Sequence, residues 1–179
     1  MKDSKKILKL AEIHWDALGR TQVPSARGAL FSLHTQNLLE AIALEPGNAG
    51  FHYQFADSCY WAGLLTPDPK ARNRNRAEAL RSFRRARSLY PANPHYSARI
   101  AILLAKSAST PAEKALAQTE ARDTLDLDAR STGLLQRLKL TAAEQRACEA
   151  IATGVTFEKK APGAAPRAGK PPAGKPPAK

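Results

Sequence analysis

The chain has 179 residues, 43% hydrophobic and 25% charged, which is ordinary globular usage and enough length for one domain that buries its own core, with a tail to spare. No stretch approaches about 18 consecutive apolar residues, and the basic start Met1 to Lys9 runs into Ala11, Glu12, His14 and Asp16 rather than an apolar signal core, so neither a membrane span nor a secretory leader is read and a cytoplasmic location is the default. The formal charge of +12 is concentrated in two places: residues 70–87 hold eight basic groups against Glu78, residues 157–179 hold six against Glu158, and the rest of the chain is balanced.

The body of the chain, residues 1–156, reads as helical from end to end, because its apolar residues recur at spacings of three and four. The first helices run to Leu44, with Leu38, Ala41, Ile42 and Leu44 on one face, and stop at Leu-Glu-Pro-Gly-Asn (44–48). A helix over 49–63 follows. Asn75-Arg76-Ala77-Glu78 then looks like a loose capping box opening a helix with Ala79, Phe83, Ala86 and Leu89 inward, which ends at Leu-Tyr-Pro-Ala-Asn (89–93). Thr110-Pro111-Ala112-Glu113 is a full capping box with proline at the first helical position, where its missing N–H costs nothing. The helix it starts carries Ala117, Ala121, Thr124 and Leu127, and a faint third copy of the stop signal follows as Leu-Asp-Ala-Arg-Ser (127–131). Thr141-Ala142-Ala143-Glu144 repeats the box, so that residues 132–153 read as a closing helix pair. From Phe157 the chain turns to Pro, Ala, Gly and Lys, ending in GKPPAGKPPAK. Such a composition does not offset the entropy of ordering, and an extended, disordered basic tail is expected over 157–179.

A proline that stops a helix, a small polar residue that turns the chain and a second helix packing back on the first together make a helical hairpin. Repetition of that unit resembles the tetratricopeptide repeat, a helix pair of about 34 residues closed by a proline. In one unit Phe55-Ala56 and Gly63 match the large-small pair and the glycine ending the first helix, and Glu78-Ala79, Phe83, Ala86 and Pro91 match the second helix. The spacing of 45 between Pro46 and Pro91 leaves a surplus of about 11 residues over the family period, placed between the two helices as an insertion at roughly 64–74. The next unit matches through Ile100-Ala101, Leu104, Ala117, Ala121, Thr124 and Leu127, with Ala129 where proline is expected. Trp15, Leu18 and Gly19 resemble the start of an N-terminal unit completed by a helix around 28–44. The expected fold is all-α: about three helix pairs plus closing helices, with a simple bundle as the other reading.

No catalytic pattern stands out. His14, His34, His52 and His95 are dispersed without an HExxH or a histidine partner one turn away, Cys59 and Cys148 lie far apart without a metal or redox spacing, and neither GxGxxG nor GxxxxGK[ST] occurs. The expectation is a non-catalytic interaction module or scaffold without cofactor or metal. The resemblance implies a concave groove lined by the first helix of each pair and taking a peptide or protein segment. Tyr53, Asp57, Tyr60 and Trp61 on one helix and His95, Ala98, Ile102 and Lys106 on the next would face it, without the lysine pair of carboxylate-binding members. A plainer reading packs Tyr60 and Trp61 beneath the insertion. The competing function is polyanion binding, to nucleic acid or another acidic partner, through Lys70, Arg72, Arg74, Arg76, Arg81, Arg84, Arg85 and Arg87 together with the basic tail; the plain alternative is a solvated helix face. Attraction to an anionic membrane is the weakest reading, since no apolar amphipathic helix accompanies the tail.

Overall fold

A computed structural model describes residues 3–21 and 23–155; the tail expected over 157–179 lies outside the described residues. Within them the chain is all helical: α1 (Ser4–Arg20), α2 (Pro24–Leu44), α3 (Ala49–Leu65), α4 (Pro69–Leu89), α5 (Pro94–Ser107), α6 (Pro111–Arg130), a 3-10 segment over Gly133–Leu138, and α7 (Ala142–Ala152). No helix among the described residues is long and apolar enough to cross a membrane.

Helix boundaries follow local chemistry. The asparagines of the two Pro-x-Asn signals do more than turn the chain: Asn48 accepts a hydrogen bond from the Gly50 amide and Asn93 from the His95 amide, both at 3.1 Å, so each proline ends one helix and its asparagine caps the next. Thr110 and Thr141 form the reciprocal capping boxes expected of them. Gly154, at φ +76°, takes the left-handed turn that closes α7, where its own amide bonds the Ile151 carbonyl and that of Val155 the Ala150 carbonyl, each at 3.0 Å.

Three expectations are corrected. The surplus between α3 and α4 is not a loop and Asn75 is no cap. Asp68 accepts from the Lys70 and Ala71 amides at 3.1 Å and Pro69 opens α4, so the extra residues become helix length on both sides of a turn at Thr66–Asp68. Gly63 does not end α3, which runs on to Leu65; a Cβ there would sit 3.5 Å from the Arg72 carbonyl oxygen and the Asn75 Cβ, so the glycine marks where α4 comes close. The Arg72 guanidinium reaches back to the Thr66 and Pro67 carbonyls (3.2–3.4 Å) and covers the open C-terminal end of α3. Finally, α6 continues through Ala129 and Arg130, because no proline stops it, and the closing pair is one short 3-10 segment plus α7.

Helices pack as successive hairpins, α1 with α2, α3 with α4 and α5 with α6; α2 meets α3, α4 meets α5, and α7 lies against both α5 and α6. Such stacking gives each unit only neighbours to bury against, which makes a helical hairpin array. Ala11, Leu38, Phe55, Ala56, Cys59, Tyr60, Ala79, Phe83, Ile100 and Leu103 form one core across the first five helices. Ala98, Ala101, Ala117, Ala121, Leu140, Cys148 and Ile151 form a second between α5, α6 and α7. Alanine recurs at these contacts because a small side chain lets helix backbones approach, while Phe83, 1% exposed, fills the space between hairpins. His34, buried, ties three helices: its Nδ1 pairs with the Ala11 carbonyl of α1 at 2.8 Å and its Nε2 with the Ser58 hydroxyl of α3 at 2.6 Å.

Candidate binding groove

A groove of about 820 Å³ opens along α3, α5 and α7. Its walls come from single stripes on those helices. On α3 they are Tyr53, Tyr60, Trp61 and Leu64; on α5 His95, Arg99, Ile102 and Lys106, with Tyr96 beside them; on α7 Ala143, Glu144 and Ala147. The α5 stripe is spaced 4, 3 and 4 residues apart, the interval that keeps side chains on one face of a helix.

Of the residues expected there, Tyr53, Tyr60, Trp61, His95, Ile102 and Lys106 line the groove. Asp57 lies beside it, not in its lining. Its Oδ2 accepts from the Trp61 indole N–H at 3.2 Å, and its Oδ1, buried and without a hydrogen-bond partner among the described residues, faces the Arg99 guanidinium at 3.6 Å. Ala98 is fully buried and belongs to the second core, a correction to its expected place in the groove. Tyr60 is buried but lies beneath Lys106 rather than beneath an insertion loop, and Trp61 is 42% exposed. The lining also holds residues not expected there, among them Leu64 and the two charged ones, Arg99 and Glu144. Arg99 was discoverable, since it sits one turn from His95 and from Ile102 on the same stripe. Glu144 shows in the sequence only as a capping residue, and its second role depends on α7 lying beside α5, which no local pattern encodes.

Arg99 and Glu144 organise the polar floor. Arg99 donates from Nε to the Tyr53 hydroxyl at 3.2 Å and stands 3.9 Å from a Glu144 oxygen. Burial raises the Tyr53 hydroxyl pKa, partly offset by Arg99. Glu144 accepts from His95 Nδ1 at 2.8 Å while also accepting from the Thr141 hydroxyl and amide at 2.8 and 3.1 Å. Burial pushes the Glu144 carboxyl up, but the hydrogen bonds from His95 and Thr141 outweigh it and hold it at about 2. The same hydrogen bond to Glu144 raises His95 above its ordinary value, against the opposing effect of burial. At the other end Lys106 donates to the Tyr60 hydroxyl and lies over its ring, 5.1 Å from the centroid. It has no carboxylate within ion-pair distance among the described residues. Tyr60 and Trp61 meet edge to face at 5.8 Å.

The other chemistry-bearing groups stand apart. Cys59 and Cys148 are buried and burial pushes both thiols up to about 12, which disfavours the nucleophilic thiolate. The basic residues 70–87 all lie on α4, none of them in the groove. Lys70, Arg74, Arg81, Arg84 and Arg85 are exposed; Arg72, Arg76 and Arg87 are half-buried, with Arg72 on the Thr66 and Pro67 carbonyls just past α3 and Arg87 paired with Glu120 of α6. No protein-family model matches the sequence, and no curated protein matches it.

Proposed function

We propose that the chain is a non-catalytic interaction module of the tetratricopeptide-repeat kind, taking an extended peptide or protein segment into the groove along α3, α5 and α7. One observation carries this reading: three successive inner helices present aligned stripes to a single concavity, apolar and aromatic at one end through Trp61, Leu64 and Ile102, polar and held by hydrogen bonds at the other through His95, Arg99 and Glu144. Apolar contact area supplies affinity, and a few fixed polar groups supply orientation and register. The polar groups are pinned by one another before any ligand arrives, so little ordering cost falls on this side of the complex.

Trp61 is the anchor this arrangement predicts, since a half-exposed tryptophan at a groove is the residue type that most often dominates an interface. Peptides selected from a random display library against the full chain should lose binding by about 30-fold on Trp61→Ala, equivalent to about 2 kcal/mol. Far-UV circular dichroism should stay unchanged. Selection of peptides that bind the variant as tightly as the native chain, or of none at all, would remove the groove as the binding site.

A further inference from the structure

The outer face of α4 shows a second surface, separate from the groove. At about 100° per residue, Lys70, Arg74, Arg81, Arg84 and Arg85 fall within an arc of about 100°, opposite the buried Ala79, Ser82, Phe83 and Ala86. At about 1.5 Å per residue they run over about 22 Å of helix. Arg81 pairs with Glu78 one turn away, and its side chain remains 73% exposed. Glu120 of α6 pairs with Arg87 and also lies within electrostatic reach of Arg84. Lys70, Arg74, Arg84 and Arg85 have no ion-pair partner among the described residues.

We propose that this face docks a nucleic-acid duplex through its phosphates, without reading base sequence. Charge complementarity argues for it: a rigid row of cations, four of the five arginine, meets a rigid repeating row of phosphates, and guanidinium forks fit phosphate oxygens bidentately. The rest of the face narrows the partner. Asn73, Ala77 and Ser88 stand among the cations; a single strand wants aromatic platforms for its bases, and a membrane-surface helix wants large apolar residues to insert, and this face offers neither.

The test is fluorescence anisotropy of a labelled random-sequence DNA duplex with the full chain across a salt series. Five phosphate contacts give a slope of log K on log salt of about −4.5. Arg74→Gln/Arg84→Gln/Arg85→Gln removes three exposed, unpaired cations and keeps good helix formers, so the slope should become shallower by about 2.7. Between about 50 and 200 mM salt the affinity of the native face falls by about 500-fold on five contacts, and that of the triple variant by about 12-fold on the remaining two. The difference in slope holds even if the lysines of 159–179 add contacts, because both proteins carry them. No duplex binding at the lowest salt, or an unchanged slope in the triple variant, overturns the proposal. So does tighter binding to polyglutamate or to phosphatidylserine vesicles than to the duplex, which would assign the face to an acidic protein or a membrane.

Discussion

Replacing Glu144 with glutamine keeps the α7 capping box, because a glutamine at that position still accepts from Thr141, and removes the charge that faces His95 and, at 3.9 Å, Arg99. The Arg99 part does not change between about pH 5 and 9, so the pH-dependent part reports His95. In the native chain the hydrogen bond to that carboxylate is the largest influence raising His95, with Asp128 adding to it and burial and Arg99 opposing, and in an unfolded chain the imidazole returns to its ordinary value near 6.5. Between that value and the raised one the folded state binds more protons than the unfolded state. Stability from the pair is therefore complete below about pH 6.5 and is lost as pH rises through the folded value. Glu144, held at about 2, stays ionised throughout this range. A charge-assisted hydrogen bond is worth about 1.5–3 kcal/mol and a neutral one about 0.5–1.5. With the side chains only 24% and 11% exposed, Glu144→Gln should cost about 1–2 kcal/mol near pH 5.5 and under about 1 kcal/mol near pH 9. Urea denaturation of both proteins across that range measures it. A penalty independent of pH, with parallel stability profiles, would refute the assignment of His95 as the cation of this pair.

His34 should show the opposite sign. Burial lowers it, with the Ala11 carbonyl opposing and His14 adding to the effect, so below about pH 6.5 the unfolded chain takes up the extra proton and stability falls with acid; His34→Leu should cost about 1–3 kcal/mol at neutral pH and flatten the acid limb of the urea-midpoint profile. At the start of α4, Asp68→Ala removes the acceptor for two amides and should cost about 1 kcal/mol, with faster amide exchange confined to the first turns of α4; an exchange change beginning only at Asn75 would restore the shorter helix.

How much of this was readable in advance depended on whether the signal was local. The Pro-x-Asn punctuation, the Thr110 and Thr141 boxes and the small-residue stripes on α4 and α6 are all decided within a few residues of backbone, and the helix pairs follow from them. The start of α4 was a contest between two local signals, and Asp68-Pro69 prevailed because an aspartate that accepts two amides ahead of an N1 proline outcompetes an asparagine seven residues later. Six residues of the groove lining are ones that the repeat resemblance implied for such a groove. Arg99 lay on the same stripe and was overlooked, whereas Glu144 and Asp57 owe their partners to the packing of α5 against α7 and α3, contacts between residues 42 to 49 positions apart. Sequence spacing does not encode such pairs without the register between hairpins.

The helix that decides the groove is α5, and its circumference explains why. Its 14 residues divide into three stripes at about 100° per residue: Ile100 and Leu103 enter the first core, Ala98 and Ala101 enter the second, and His95, Arg99, Ile102 and Lys106 face the groove. Hardly any of its surface is left to plain solvent. Groove residues on α5 therefore sit directly against two cores, so a substitution there perturbs packing as well as recognition. Trp61, half-exposed on α3, separates the two effects better. At the far end α7 completes the polar floor through Glu144, yet turns Gln145, Arg146 and Glu149 outward. An array of stacked hairpins ends stably where its last helix offers the next position a polar face instead of an apolar one. Cys148 and Ile151 go inward and those three outward, so α7 closes the groove on one side and presents a polar face on the other.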